Sequence, residues 1–315
     1  MPASDEARSS TATHSAQPRD SRVARLLVGY DGSDSANAAA AFGLWLAGKT
    51  ECEATVVHAG PNPEAAPRAD LLLPVAEQVV AYEREWRRRL ENLREYAAED
   101  AAVECRVVRG SPAGVLIAAA VDSGADMILT GSHGVGRVRG ALLGSVSSQV
   151  LAHAPCSVMV FREVEPSAPA TQAGTIVVGI DDSASSRGAL EFAEALAVPL
   201  GARLVLVHAC DPHVPFVSEP TGAMRDELQR HATTVLHDAR KTVAAPLEVI
   251  EQEIVEGRAR EELVAACERH APALLVVGSR GLGGFKELLL GSTSRWVVNH
   301  APCPVLVARR SALAE

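Results

Sequence analysis

Glycines and serines with the spacing of an anion cradle occur twice in the chain. Gly131-x2-Gly134-x9-Gly144-Ser145 returns, with the same internal spacing, as Gly278-x2-Gly281-x9-Gly291-Ser292. Without a Cβ to obstruct a ligand, glycines let successive backbone N–H groups point into a concavity that accepts anionic oxygens. Ser145 then opens a short helical stretch over 145–152. The first N–H groups of a helix lack intrahelical partners and carry partial positive charge, so a di- or triphosphate can settle there, with the Ser145 hydroxyl as a further donor. Three or four charge-assisted hydrogen bonds of about 1.5–3 kcal/mol each, together with burial of a base, suffice for micromolar affinity, roughly −8 kcal/mol. Between and after the glycines stand Ser132, His133, Val135, Gly136, Arg137, Val146 and Ser147 in the first copy. Their counterparts are Ser279, Arg280, Leu282, Gly283, Gly284, Thr293 and Ser294 in the second. Arg139 and Lys286 fall at equivalent positions and read equally as screens for a terminal phosphate or as solvated loop charges.

A second group of candidates lies at the ends of apolar runs. Asp31 follows Arg25-Leu-Leu-Val-Gly29-Tyr30, and Asp181 follows Thr175-Ile-Val-Val-Gly179-Ile180. A carboxylate repels phosphate but accepts hydrogen bonds from ribose hydroxyls or a base amino group, which assigns it to the adenosine moiety of a nucleotide. The alternative is an Asx-turn or helix cap ahead of Gly32-Ser33. Val57 and Val207, late in the second run of each copy, have main-chain groups placed to meet a base edge, while their side chains read as buried strand residues. His58 and His208 recur without a carboxylate or cysteine at ligand spacing, and read as packed or hydrogen-bonded strand-end histidines. Asp182, where the first copy has Gly32, adds an acid that predicts a weaker second site and unequal affinities.

Gly43-x4-Gly48-Lys49-Thr50 satisfies the Walker A pattern, but a P-loop needs a strand before it and a helix after it. Here Phe42 to Ala47 reads as the end of a helix, with Gly48 as its stop. Tyr30-Asp-Gly-Ser-Asp-Ser35 lacks the paired glycines of an ATP-cleaving pyrophosphate loop, and there is no Gly-x-Ser-x-Gly elbow. No catalytic residue and no metal ligand is therefore assigned.

These residues must be positioned by something, and the repeat supplies it. The 315 residues carry matching blocks at offsets of 150, then 147: Gly131/Gly278, Leu143/Leu290 and His153/His300 follow Arg25/Thr175 and His58/His208. So long a period means two complete domains rather than a solenoid. Each copy alternates β-branched runs with helical stretches, the pattern of a parallel sheet with crossover helices. The strands are expected at 25–30, 53–58, 103–108, 126–131 and 157–161, then at 175–180, 203–208, 248–254, 273–278 and 304–308. A helix is expected over 75–99. The domains are taken as 23–162 and 175–310, joined by a Pro-containing linker over 163–174 and preceded by a disordered tail over 1–22; 59–74 forms a long loop that can lie over the ligand crevice.

Composition narrows the function classes. The hydrophobic share of 47% supports two cores, and aromatics at 3% leave them to Val, Leu, Ile and Ala. A net charge of −9 argues against nucleic acid as a partner. No apolar run reaches membrane length and the first residues have no secretory apolar core, so the expected location is the cytoplasm. The six cysteines fall in no CxxC pair and read as buried or free thiols.

The first-strand Asp, the Gly-x2-Gly-x9-Gly-Ser pattern and the short strand after Ala-Pro-Cys resemble the universal stress protein family in its tandem two-domain form, over about residues 23–162 and 173–310. The resemblance implies an α/β fold of two Rossmann-like domains, similar to adenine nucleotide alpha hydrolases, each a five-stranded parallel sheet of order 3-2-1-4-5 flanked by helices. It implies ATP as ligand, with or without Mg2+, at Asp31, Gly131, Gly134, Gly144 and Ser145 and at Asp181, Gly278, Gly281, Gly291 and Ser292. It also implies pairing of the two domains through Val158–Phe161 and Val305–Val307, a homodimer of the whole chain, and a role in stress survival without a firmly shared catalytic activity. Three readings follow: a nucleotide-dependent regulator acting on a protein partner, a slow ATPase or nucleotidyl-transfer enzyme, and a structural or redox partner protein with Cys156 and Cys303 as sensors.

Overall fold

The computed structural model describes residues 23–62, 72–134, 143–162, 174–211, 221–244, 250–281 and 290–309. The tail over 1–22, most of the linker and most of the proline-rich loop, together with Arg139 and Lys286, lie outside the described residues.

The first half runs β1 (Arg25–Gly29), α1 (Asp34–Thr50), β2 (Glu53–Gly60), α2 (Leu72–Asn92), β3 (Val103–Arg109), α3 (Pro112–Ser123), β4 (Met127–Gly131), α4 (Ser145–His153) and β5 (Ser157–Phe161). The second repeats it as β6 (Thr175–Gly179), α5 (Ala184–Leu200), β7 (Arg203–Cys210), α6 (Gly222–Thr242), β8 (Ile250–Glu256), α7 (Ala259–His270), β9 (Leu274–Gly278), α8 (Ser292–His300) and β10 (Val305–Ala308). All ten strands form one sheet, ordered β3-β2-β1-β4-β5-β10-β9-β6-β7-β8. Each half therefore has the expected order 3-2-1-4-5. Within a half every pair is parallel; β5 and β10 are antiparallel, with Met159 opposite Leu306. Both last strands are thus interior to the sheet, so a homodimer of the whole chain has to use another surface.

The alternation of side chains builds two apolar layers. Leu26, Val28, Leu129, Met159 and Leu306 meet α1, α2, α5 and α6 on one face. Leu27, Ile128, Val158, Val160 and Val307 meet α3, α4, α7 and α8 on the other. Both layers run unbroken across the β5–β10 seam, so the halves share their core. The outer strands β3 and β8 are blunted by charge, with Glu104 paired to Arg106 on β3 and Glu251 of β8 paired to Arg203 of the neighbouring β7.

Two local expectations are corrected. Helix α1 does not stop at Gly48: it runs to Thr50, and Glu51 takes the left-handed turn at φ 56, where the second half has Gly201 at φ 59. Gly48 answers to packing instead, since a Cβ there would lie 2.8 Å from the Ala98 Cβ. The helix expected to reach residue 99 ends at Asn92 and tightens into a 3-10 turn over Leu93–Tyr96. That turn brings the chain round toward β3, where Arg94 Nη2 donates to the Val103 carbonyl at 2.9 Å.

Candidate functional site

In each half the chain reverses direction across the sheet between the first and fourth strands, and the carboxyl ends of these strands open a crevice. A cavity of about 420 Å3 occupies it in the first half, and one of about 420 Å3 in the second. Both are within the usual range for small-molecule sites, roughly 300–1,000 Å3.

Asp31 lines the first. Its Oδ1 accepts from the Ser33 backbone N–H at 3.0 Å and from the Ser33 hydroxyl at 2.6 Å, closing an Asx-turn, while Ser33 caps α1. The other oxygen is turned toward the glycine loop: a Cβ on Gly134 would lie 2.6 Å from Asp31 Oδ2. The turn thus occupies Oδ1 and leaves Oδ2 toward the glycine. Asp181 repeats this, bonded to Ser183 at 3.1 and 2.6 Å, with Gly281 at the same 2.6 Å clearance.

The described ends of the segment after β4, Ser132–Gly134 and Leu143–Gly144, are tied down from several sides. Ser132 donates its N–H to Phe161 at 2.6 Å and accepts from Gly144 at 2.7 Å. The His133 carbonyl accepts from the hydroxyls of Ser33 and Ser35 at 3.1 and 2.8 Å. The buried Ser147 hydroxyl donates to the Gly131 carbonyl at 2.5 Å, and Ser294 donates to Gly278 at 2.6 Å. Since Gly144 is the N-cap of α4 and supplies no side chain, the N–H groups of Ser145, Val146 and Ser147 have no intrahelical acceptors, and these three residues line the cavity.

Of the residues expected from sequence, Gly29, Asp31, Val57, Gly131, His133, Gly134, Gly144, Ser145, Val146 and Ser147 line the first cavity. Gly179, Asp181, Val207, Gly278, Arg280, Gly281, Gly291, Ser292, Thr293 and Ser294 line the second. Ser132 and Ser279 are buried beside the cavities rather than lining them; their backbone groups tie the loop to the last strands. Val135, Gly136, Arg137, Leu282, Gly283 and Gly284 lie outside the described residues.

The apolar end of each cavity was missed. Ala59, Pro112 and Leu116 line the first, and Ala209, Ala259 and Leu263 the second. The signal was present in the rule that ligands meet strand ends: Ala59 follows the recurrent His58, and Pro112 opens the helix after the third strand. Tyr30 and His58 were likewise not assigned to the cavity, yet both line it.

His58 is a packed, hydrogen-bonded residue, as expected. Its Nδ1 faces the Tyr30 carbonyl at 2.8 Å, its Nε2 faces the Tyr82 hydroxyl at 2.7 Å, and its ring stacks on Trp86 at 3.5 Å. A carbonyl only accepts, so Nδ1 carries the proton and Nε2 accepts from Tyr82. Burial holds the His58 pKa below its ordinary value, favouring the neutral ring. His208 keeps the backbone bond, to Ile180 at 2.8 Å, and meets the edge of His231.

Asp182 is not part of the second cavity's lining, and Arg187 Nη1 binds its Oδ1 at 3.0 Å. Asp182 thus lies outside the cavity, with its charge paired to Arg187. The redox reading loses ground: Cys156 and Cys303 are buried, and burial pushes the Cys156 thiol up to about 12. Inert thiols of this kind make poor sensors.

The sequence matches the model "Universal stress protein family" over residues 23–162 and 173–309. It is 33% identical over 304 residues to universal stress protein Rv2623 of Mycobacterium tuberculosis, covering 91% of this chain and 96% of that one. It is 32% identical over 295 residues to universal stress protein Rv2005c of the same species, covering 91% and 97%. Among solved structures, a universal stress protein from Archaeoglobus fulgidus superposes with a TM-score of 0.64 at 21% identity, over 91% of this chain and 98% of that one. The chain belongs to the universal stress protein family, with two of its domains in tandem.

Proposed function

We propose that the chain binds two adenine nucleotides, ATP foremost, one in each half, and serves as a nucleotide-dependent regulator in stress survival. The observation that carries this reading is the duplicated arrangement of one carboxylate oxygen, a glycine fitted against it and an open helix start around each cavity. The sheet order places the parts. β1 lies between β2 and β4, so apolar Val57 and Ala59, then Asp31, then Gly131, Gly134, Gly144 and Ser145 follow one another across the crevice. Two strand spacings span about 10 Å, a reach suited to a base, a ribose and the first phosphates in that order.

Binding rather than catalysis is favoured because both ring nitrogens of His58 are engaged by Tyr30 and Tyr82. Magnesium enters as the counter-ion of the phosphates; among the described residues no group of three or more His, Cys, Asp or Glu is placed to hold a metal. Among the described residues no helix is long and apolar enough to cross a membrane, and we place the protein in the cytoplasm with a protein partner as the reader of nucleotide occupancy. A ligand that binds only the folded chain stabilises it by about 2.7 kcal/mol at a hundredfold excess over its Kd. Thermal denaturation with ATP, with and without Mg2+, tests the reading: a concentration-dependent rise in Tm is expected, and an unchanged Tm at millimolar ATP contradicts it. ATP turnover by the same samples separates a regulator from a slow ATPase.

A further inference from the structure

Arg162 and Arg309 occupy equivalent positions, each one residue past the last strand of its half, and each reaches across the β5–β10 seam. Arg309 Nη1 donates to the Ala154 carbonyl at 2.7 Å, and its Nη2 donates to Leu151 and, at 3.3 Å, to Ala152. These are last-turn and C-cap carbonyls of α4. In the mirror contact, Arg162 Nη1 donates to the carbonyl of Asn299 in the last turn of α8.

The two clamped helices are those whose N-termini form the cradles. The last carbonyls of a helix have no intrahelical donors, and a cation beside them complements the helix dipole, so a half-buried guanidinium on several of them fixes where the helix ends. Nine residues make α4 a rod of about 13.5 Å, too short to absorb a shift at one end without passing it to the other. Each clamp is also rooted beside its own half's cradle. The Phe161 carbonyl, just before Arg162, accepts from Ser132 at 2.6 Å, and the Ala308 carbonyl, just before Arg309, accepts from Ser279 at 3.0 Å.

We propose that each nucleotide site is held in register by the opposite half: Arg309 is a positioning residue for the cradle at Gly144-Ser145, and Arg162 for the cradle at Gly291-Ser292. The inference rests on the nucleotide-binding reading, but its mechanical part is independent of it.

The test uses the full chain and two readouts. Amide hydrogen exchange on nucleotide-free protein is expected to quicken over Ser145–His153 in Arg309→Met while Ser292–His300 is unchanged, with the reverse in Arg162→Met. Fluorescent mant-ATP is then titrated into single-site proteins, the first site closed by Gly134→Val or the second by Gly281→Val. Arg309→Met is expected to weaken the first site by about fivefold or more and to leave the second as it was. Unchanged exchange over Ser145–His153, or equal losses at both sites, overturns the proposal, the latter because a general loss of stability has no preferred side. If the unsubstituted chain takes up no mant-ATP, the nucleotide reading fails and the exchange pattern alone decides the positioning claim.

Discussion

Asp31 and Gly134 are fitted to each other: Oδ2 of the aspartate stands 2.6 Å from where a Cβ on the glycine would be, and Asp181 stands at the same distance from Gly281. A side chain at Gly134 has to push the carboxylate aside or move the glycine away from it. The glycine is thus required by contact with the residue meant to read the ligand.

Replacing Gly134 by Ala therefore disables the first site and leaves the second intact, and Gly281→Ala does the converse. The expected outcome is a halving of ATP bound per chain in either variant and its loss in the double variant, with the far-ultraviolet circular dichroism of the parent. Undiminished uptake by the double variant contradicts the assignment.

Ser145 and Ser147 are two residues apart and have different work. The Ser147 hydroxyl is spent on the Gly131 carbonyl inside the protein, so Ser147→Ala is expected to cost about 1 kcal/mol of stability, read from the urea midpoint. Ser145→Ala is expected to weaken ATP binding with the urea midpoint unchanged. A reversed pattern assigns the phosphate contact to the wrong serine.

His58 predicts a pH dependence. Burial lowers its pKa in the folded chain below the ordinary 6.5, so the unfolded state binds the extra proton first. The contribution to stability is then complete above about pH 6.5 and is lost as pH falls through the lowered folded-state value. Between pH 7 and pH 5 the unfolding free energy of the parent should fall more steeply than that of His58→Gln; parallel profiles contradict the neutral, Tyr82-bonded ring.

The seam is built from core residues. Met159 and Leu306 face each other in the β5–β10 ladder, both fully buried in an apolar layer that spans the halves. Calorimetry should therefore give one cooperative unfolding transition, and Leu306→Ala should lower it as a unit by about 2–5 kcal/mol. Two resolved transitions contradict a shared core.

Much of this was legible in the sequence because the repeat writes each strand twice and the glycine spacing is rigid. Arg25–Gly29 and Thr175–Gly179 fell where the β-branched runs predicted, and Asp31, Gly131, Gly134, Gly144 and Ser145 fell on the cavity. The strand order came from resemblance, since periodicity says nothing of which strands are neighbours. What was hidden depends on contacts between distant segments. Gly48 looked like a helix stop because its true constraint, Ala98, comes from another element. That the Ser147 hydroxyl is held by the Gly131 carbonyl, while the residue still lines the cavity, could not be read from the sequence because the acceptor lies sixteen residues away at the end of β4. Ala59, Pro112 and Leu116 are apolar residues whose place at the cavity appears only once the strand ends converge.

The most direct test of the account is the number of adenine nucleotides the full chain holds. Equilibrium dialysis against radiolabelled ATP, with and without Mg2+, should saturate at two per chain, one for each Asp–Gly pair. Saturation at zero under both conditions would contradict the account at its centre.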